Sequence, residues 1–428
     1  MRIALAVVLS LTLTPLVAQS QVAPGRTLLR AGHLLDVRTG KLLDAQTITI
    51  SGDKIVAIAP TASTPTAAGD TVVDLSGLTV LPGLIDVHTH ITMATNFDPY
   101  FELTQTDGKS AIAGVVNARA TLLAGFTSIR NVGAGGFVDV DLRDAIDAGS
   151  VPGPHLQVSG PALGITGGHC DDNLLPASYH QVGEGVADGI AAVQTKVRQN
   201  IKYGADLIKI CATGGVLSKG DDLQASQYTL EEMRAIVADA HRLGRKVAAH
   251  AHGAQGILWA SQAGVDSIEH GSFINEPAIV EMKKNGTYLV PTLYLEDWIL
   301  EFGHLPPFYQ QKMKDAIKVA KPNIRHAYES GVKIALGTDA AVYPHGLNGH
   351  ELEVYVRDLG MTPLAAIQSA TVNAADLMGW TEKTGSLDAG KWADIIAVDG
   401  NPLENVKLFQ NVSFVMKAGV VYKGAGVK

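Results

Sequence analysis

The chain has 428 residues, enough for two or three domains or for one large α/β barrel with an additional domain. Its 34 basic and 42 acidic residues give a formal net charge of −8 without any basic run. This charge argues against nucleic-acid binding, because such binding depends on Lys and Arg at phosphates. Hydrophobic residues make up 46% of the chain, so extensive disorder is excluded and a large core is expected.

The first twenty residues have the pattern of an export signal. Arg2 precedes an apolar run over residues 3–13, and small residues such as Ala18 follow it. The run is shorter than the roughly 20 residues that span a bilayer, and no later segment reaches that length without charges. We therefore expect residues 1–20 to be a signal peptide and the protein to be exported, periplasmic or secreted, without a membrane span.

Both ends of the remaining chain have the pattern of short β-strands. Apolar runs at 47–50 and 55–58 flank the turn Ser51-Gly52-Asp53-Lys54, which is typical of a hairpin. An earlier run at 27–30 is followed by a predicted break at Gly32. Similar runs occupy 394–398, 412–416 and 419–422. These patterns predict one small, discontinuous β-sandwich domain formed by residues 21–81 and 385–428.

Between these ends, short apolar strands alternate with amphipathic helical stretches, for example at 229–243 and 276–285. The strand segments are 84–87, 128–131, 156–159, 207–210, 247–249, 267–269, 288–291 and 334–337. Eight such strands predict an α/β fold in which a (β/α)8 TIM barrel, residues 82–384, is inserted in the β-sandwich domain. The active site of such a barrel lies at the C-terminal ends of its strands.

The first barrel strand ends in His88-Thr89-His90. Alternation places both imidazoles on one side of the strand, about 7 Å apart, so that they can reach one metal ion. Lys209 lies within the apolar fourth strand, where an unpaired charge is costly. It either extends its amine to an interface or has a lowered pKa and has reacted with CO₂, which would give a carbamate able to bridge two metal ions.

Further potential ligands follow other strands at the same end of the barrel. They are His250, His252, His270 and Asp339. Imidazole and carboxylate groups together suit zinc. A carboxylate beside a metal can also act as a general base. The strand ends therefore predict a metal site with hydrolytic chemistry.

The order of these residues resembles the amidohydrolase superfamily. The matching residues are Pro82-Gly83-Leu84-Ile85-Asp86-Val87-His88-Thr89-His90, Lys209, His250, His270 and Gly337-Thr338-Asp339. The resemblance covers nearly the whole chain after residue 20 and implies a metal-dependent enzyme with two Zn²⁺ ions. The implied ligands are His88, His90 and Asp339 for one ion and His250 and His270 for the other, with a bridging N6-carboxylysine at Lys209 and a bridging hydroxide. Asp339 would transfer the proton from that hydroxide to the leaving amine, and Lys209 and His252 complete the implied catalytic set.

Residues 205–209 and Thr213-Gly214-Gly215-Val216 are similar to the Xaa-Pro/Xaa-Arg dipeptidase branch of this superfamily. That branch includes carboxypeptidase-like enzymes that hydrolyse ochratoxin A, an amide of phenylalanine. The similarity implies hydrolysis of an amide whose leaving group is a C-terminal amino acid. Dipeptides and N-acyl amino acids are the expected substrates, including ochratoxin A, which would yield ochratoxin α and phenylalanine.

Four residues are candidates for holding the substrate. Tyr228 and His252 could hydrogen bond to its carboxylate or carbonyl, and His169 could line the pocket after a Gly-rich loop. Arg130 could supply a charge or form a structural ion pair. The branch often has Arg-Asp at this position, and the present chain has Arg130-Asn131.

The same ligand set leaves other functions open. A lactonase of the superfamily uses the same two-metal core, and a cyclic amidase or deaminase is a further alternative, although Lys209 argues against mononuclear deaminases. A non-catalytic assembly module is disfavoured because every ligand position is filled. Charged residues are only 18% of the chain, which with the resemblance favours a homo-oligomer. Cys170 and Cys211 could pair, but two independent buried cysteines are the preferred interpretation.

Overall fold

The computed structural model describes residues 25–98 and 100–424, so the predicted signal peptide at 1–20 lies outside the described residues. The strands are β1 (Thr27–Asp36), β2 (Lys41–Ser51), β3 (Lys54–Pro60), β4 (Thr71–Pro82), β5 (Leu84–Thr89), β6 (Phe126–Asn131), β7 (His155–Val158), β8 (Leu207–Cys211), β9 (Lys246–Ala251), β10 (Ser267–His270), β11 (Tyr288–Val290), β12 (Ile395–Val398), β13 (Phe414–Lys417) and β14 (Val420–Lys423). The α-helices are α1 (Asp107–Leu123), α2 (Val138–Asp147), α3 (Ile190–Lys202), α4 (Leu230–Arg242), α5 (Ala254–Ala263), α6 (Glu276–Asn285), α7 (Tyr294–Phe302), α8 (Pro307–Glu329), α9 (His350–Leu359), α10 (Pro363–Ser369) and α11 (Val372–Met378).

Strands from both ends of the chain form one seven-stranded sheet, in the order β14-β13-β12-β4-β1-β2-β3. The predicted break at Gly32 is wrong, because β1 continues through it with a register shift between Ala31 and His33. A side chain at Gly32 would collide with the carbonyl oxygen of Ser76, so only glycine permits β4 to approach this closely.

The two edges of this sheet approach each other at their turns. The amide of Ile55 donates to the carbonyl of Lys391, and the amide of Ala393 donates to Asp53. The turn at Gly419 then packs against the turn at Gly52. The sheet thus encloses a core to which both ends of the chain contribute, with Leu29 and Ile48 from the first part and Phe414 from the second.

The barrel strands are linked into a ring of backbone hydrogen bonds. Strands β5-β6-β7 form one parallel group and β8-β9-β10-β11 another. Leu163 joins the two groups, because its amide donates to Lys209 and its carbonyl accepts from Cys211. The predicted eighth strand at 334–337 is too irregular to be a strand, but Ala335 donates to Leu289 and Val87 donates to Leu336. This segment therefore closes the (β/α)8 barrel.

Helices surround the barrel and bury one apolar face each. The expected helices at 229–243 and 276–285 are α4 and α6. Helix α4 starts with a capping box in which Thr229 and Glu232 bond each other's backbone amides. Its Met233 and Ile236 belong to the same buried cluster as Ile208 of β8, and each such side chain contributes about 1.5–3 kcal/mol to stability. Among the described residues, no helix has the length and apolarity needed to cross a bilayer.

Cys170 and Cys211 form a disulfide, so the preference for independent cysteines was wrong. The loop after β7 returns over the end of β8, where Leu163 pairs with the strand. A side chain at Gly164 would lie against Cys170, so the glycine allows the loop to fold this tightly. The Cα atoms of the two cysteines are 6.0 Å apart, within bridging distance.

We predict that the Cys170→Ala/Cys211→Ala double variant loses about 3–4 kcal/mol of unfolding free energy, because the bond closes a chain segment of 41 residues. Denaturant titration measures the loss. A reducing agent should destabilise the wild-type protein by a similar amount and leave the double variant unchanged. Equal stability of both proteins under oxidising conditions would contradict a structural role for the disulfide.

Candidate active site

A cavity of about 660 Å³ lies at the C-terminal ends of the barrel strands. Its floor contains side chains that lie in or directly after β5, β8, β9, β10 and the closing segment. These floor residues are His88, His90, Lys209, His250, His252, His270 and Asp339. The strand ends thus bring together every metal ligand that the sequence predicted.

His88, His90 and Asp339 form one side of this floor. The Nε2 atoms of both histidines lie 3.3 Å from Oδ1 of Asp339. Asp339 adopts a left-handed backbone conformation with φ of 58°, held by a hydrogen bond from its amide to the carbonyl of His88. Burial raises the pKa of Asp339, but the two imidazoles outweigh this effect and hold it well below its usual range. The carboxylate is therefore ionised at neutral pH.

His250, His252 and His270 form the other side. One ring nitrogen of each lies within 4.8 Å of the others. The Nδ1 atom of His270 hydrogen bonds to Oγ1 of Thr292 at 2.7 Å, and Nδ1 of His252 bonds to Oγ of Ser272 at 2.8 Å. Burial lowers the pKa of His252 to about 3 and lowers the pKa of His250 and His270 well below the usual range. Neutral imidazoles are the form that binds metals.

Lys209 lies in the same cavity floor and is only 3% exposed. Burial lowers the pKa of its amine to about 8, although the negative charges of Glu269 and Asp339 act in the opposite direction. Among the described residues, Lys209 forms no ion pair within 4.0 Å. A buried lysine with a lowered pKa and no direct ionic partner is typical of functional sites.

The arrangement of donors fits a metal centre. His88, His270 and Asp339 offer atoms within 4.8 Å of one another, and His270 is shared with the histidine group. The buried Nε2 of His88 has no well-aligned hydrogen-bond partner, which is costly unless another group binds it. Imidazole and carboxylate donors at this spacing suit zinc. The compact histidine group also includes His252, which was not in the expected ligand set.

Glu269 supports this site through its contact with His88, a role that was not predicted from the sequence. Its Oε2 lies 2.7 Å from Nδ1 of His88, and its Oε1 accepts a hydrogen bond from Nη2 of Arg130 at 2.8 Å. Burial raises the pKa of Glu269, but Arg130 and His88 outweigh this effect and lower it to about 2. The sequence signal for this role was an acidic residue inside a predicted barrel strand, directly before the predicted ligand His270.

Asp86 fixes the closing segment against β5. Its carboxylate accepts hydrogen bonds from the Thr338 hydroxyl at 2.6 Å and from Nδ2 of Asn348 at 2.7 Å. It also accepts from the amide of His88 at 3.1 Å. Burial raises the pKa of Asp86 to about 6 despite these bonds. Because Thr338 precedes Asp339, these contacts determine where the Asp339 carboxylate lies.

Of the four predicted substrate ligands, the structure places two in the cavity. His252 and His169 line it, and the ring of His169 lies 4.1 Å from that of His250. Tyr228 is a correction: it is buried, does not line the cavity and donates its hydroxyl proton to the carbonyl of Ala187 at 3.2 Å. Arg130 is a second correction, because its guanidinium is engaged inside the barrel by Glu269 and by the carbonyl of Val87.

The sequence profile of the amidohydrolase family matches residues 79–422. Ochratoxinase from Aspergillus niger is 37% identical over 375 residues, which cover 81% of this chain and 76% of that protein. The crystal structure of a Xaa-Pro dipeptidase with bound methionine in the active site has a TM-score of 0.89 and 39% identity, covering 94% of this chain and 100% of that chain. The crystal structure of A. niger ochratoxinase has a TM-score of 0.84 and 32% identity, covering 94% and 97%.

We predict that Arg130→Met lowers the unfolding free energy by about 3–5 kcal/mol at neutral pH, because it leaves the Glu269 carboxylate buried without its cation. In the wild-type protein the lowered pKa of Glu269 contributes stability above pH 4.5, and this contribution is lost as the pH falls towards about 2. The difference between the two proteins should therefore shrink over this range.

Denaturant unfolding at several pH values measures this difference. The Arg130→Met/Glu269→Gln double variant is the matched control, because it removes the unpaired charge and should recover part of the lost stability. A variant as stable as the wild-type protein at pH 7 would contradict the argument.

Proposed function

The chain belongs to the amidohydrolase family, and on that premise we propose that it is a binuclear zinc enzyme that releases a C-terminal amino acid from dipeptides or N-acyl amino acids. It is a hydrolase that acts on amide bonds. The observation that carries the proposal is the cavity floor, where two groups of donors share His270 and Lys209 lies beside them.

The proposed ligands follow from these groups. His88, His90 and Asp339 would hold one ion, and His250 and His270 would hold the second. Lys209, as a carbamate, would bridge them. The tight geometry around His270, whose Nδ1 is fixed by Thr292, supports this assignment because only Nε2 is left to face an ion. A ring nitrogen of His252 also lies within 4.8 Å of those of His250 and His270. We nevertheless propose that His252 binds the substrate and not an ion.

Two ions bound in this way would polarise the scissile carbonyl and lower the pKa of the attacking water. The ionised Asp339 accepts a proton from that water on a carboxylate oxygen and delivers it to the departing amine nitrogen. The Ser272 hydroxyl can donate to Nδ1 of His252, which leaves an Nε2–H to donate to a substrate oxygen. In the overall reaction, one amide and one water molecule give one carboxylic acid and one amine.

The substrate class is supported by the size of the cavity and by the relatives. A volume of about 660 Å³ suits a dipeptide or an aromatic N-acyl amino acid. One similar protein is named an ochratoxinase and another a Xaa-Pro dipeptidase. Ochratoxin A, cleaved to ochratoxin α and phenylalanine, is therefore one substrate that we propose.

The disulfide supports the proposal that the protein is exported, because such bonds persist in oxidising compartments. Fractionation of the native host would test this, and recovery in the cytosol alone would refute it. We retain the homo-oligomer as a proposal, which light scattering of the purified protein would test.

We predict that the purified protein binds two zinc ions per chain and that Lys209→Met binds at most one. Amide hydrolysis by this variant should fall at least about a hundredfold, because the metal-assisted step requires both ions. Chelation should also lower the melting temperature of the wild-type protein, since ions bound only to the native state stabilise it. Elemental analysis, activity assays and thermal unfolding provide the measurements.

Lys391→Met is the matched control for this variant, because Lys391 is a buried lysine in the terminal sheet region, bonded to Ser386. It should keep two ions and its activity per folded molecule. Two zinc ions and full activity in Lys209→Met would refute the bridging role.

We also predict that a panel of N-acyl amino acids and dipeptides, varied at the C-terminal residue, is hydrolysed with release of the free amino acid. Chromatography with amine detection measures release, and the zinc-free protein serves as the blank. Cleavage of lactones with no cleavage of any amide would replace this proposal with a lactonase.

A further inference from the structure

The cavity wall contains a buried carboxylate with no role in the proposed reaction. Glu296 lies in the first turn of α7 and is only 5% exposed. It lines the same cavity as the metal-binding histidines. Its Oε2 atom has no hydrogen-bond partner, and Glu296 belongs to no salt bridge among residues 25–98 and 100–424. A buried carboxylate without a partner destabilises the folded protein.

The surroundings of Glu296 do not offset this cost. Leu295, Met313 and Ala316 line the same cavity and belong to one apolar cluster. Burial raises the pKa of Glu296 to about 7, and the charge of Lys321 only partly opposes this. The Lys321 amine is already held by Asp297 at 2.7 Å and by Asp358 at 2.8 Å. Within the described part of the chain, no cation therefore forms a direct ion pair with Glu296.

A purely structural role does not explain this position either. A carboxylate in the first turn of a helix is stabilised by the helix dipole, but this gain is smaller than the cost of burying the charge. The start of α7 is already fixed by Glu351, whose carboxylate accepts the amides of Leu293 at 2.6 Å and Tyr294 at 2.8 Å. Glu296 is thus held rigidly in place without being needed to hold the helix.

The other charged residues of the cavity also favour a positively charged ligand. Outside the proposed metal centre, its charged lining residues among the described part of the chain are all acidic. They are Glu102, Asp107, Asp172, Glu184 and Glu296. A cavity lined by one sign of charge concentrates ligands of the opposite sign. A substrate that carries a positive group is therefore attracted to this cavity.

We propose that Glu296 binds a cationic nitrogen of the substrate, an ammonium or a guanidinium group, and thereby selects cationic amides. This inference rests on the proposed amide hydrolysis at the same site. The cation has two possible sources: the α-ammonium of a dipeptide, or the basic side chain of a residue in it. A charged hydrogen bond to Glu296 would satisfy the carboxylate and would be formed in the bound substrate.

The test compares wild-type protein with Glu296→Gln and with Glu301→Gln as the matched control. Glu301 lies on the same helix but is exposed, so its substitution removes one charge without changing the cavity. Four substrates separate the sources of charge: alanyl-phenylalanine, N-acetyl-alanyl-phenylalanine, N-acetyl-alanyl-arginine and N-acetyl-alanyl-citrulline. Citrulline is a neutral analogue of arginine.

We expect Glu296→Gln to raise KM about tenfold or more for the substrate that carries the recognised cation, with little change for its neutral analogue. If KM rises for alanyl-phenylalanine alone, the recognised cation is the α-ammonium. If KM rises for N-acetyl-alanyl-arginine alone, the recognised cation is the side chain. Either result supports the proposal. An equal effect on all four substrates, or no effect on any, overturns it while leaving the amide hydrolase proposal intact.

If the wild-type protein with zinc cleaves none of the four, the proposed function fails for these substrates and binding still tests Glu296. Calorimetry with L-argininamide, which carries both cations and no carboxylate, is the readout. Affinity at least about tenfold lower in Glu296→Gln than in wild-type protein and Glu301→Gln supports the cation site. Equal affinity in all three proteins overturns it.

Discussion

The buried carboxylate of Glu269 is the interaction on which the site depends most. It lies inside the barrel at 0% exposure and receives both a guanidinium from Arg130 and a ring nitrogen from His88. Each of these groups would be costly alone in a low-dielectric interior, and together they satisfy one another. Because Arg130 also donates to the carbonyl of Val87, the network ties the orientation of His88 to the backbone of its own strand.

Two further imidazoles of the site are each held by a hydrogen bond to a neutral partner. Hydroxyl groups of Thr292 and Ser272 bond the Nδ1 atoms of His270 and His252. In His88, His252 and His270, Nδ1 is hydrogen bonded to a neighbouring side chain and Nε2 is left to face the cavity. Side chains fixed in this way lose little freedom when a ligand binds, so the site is organised before it is occupied. The barrel strands thus set where each imidazole lies, and the polar partners set how its ring is oriented.

The sequence predicted the floor of the site because its ligands lie in or directly after the C-terminal parts of strands, and these parts of the barrel strands meet at one face. His88, Lys209 and Asp339 were found in this way, and the structure places them together. Side-chain partners distant in sequence escaped prediction. Tyr228 was expected at the substrate, and Arg130 either there or in a structural ion pair. Partners 41 and 139 residues away, Ala187 and Glu269, hold them in the interior.

The fold was predictable to the same degree and for the same reason. Local alternation identified the strands and helices. It also predicted a strand at 334–337, where the structure instead has an irregular segment that hydrogen bonds to Leu289 and Val87. The disulfide likewise depends on the path of a loop that passes over β8, a path that no local pattern specifies. Contacts between segments far apart in the chain carry the information that periodicity lacks.

The distribution of charge in the cavity favours one orientation of the bound substrate. Among the described residues that line the cavity, the floor has the imidazoles, Lys209 and Asp339 that would hold the two proposed zinc ions, whereas the walls have carboxylates. An amino-acid carboxylate is therefore repelled by the walls and accepted at the floor, where positive charge is concentrated when ions are bound. A cationic group is favoured in the opposite position, at the wall that contains Glu296. A dipeptide carries one charge of each sign, so the same electrostatic contrast that draws it in also orients it.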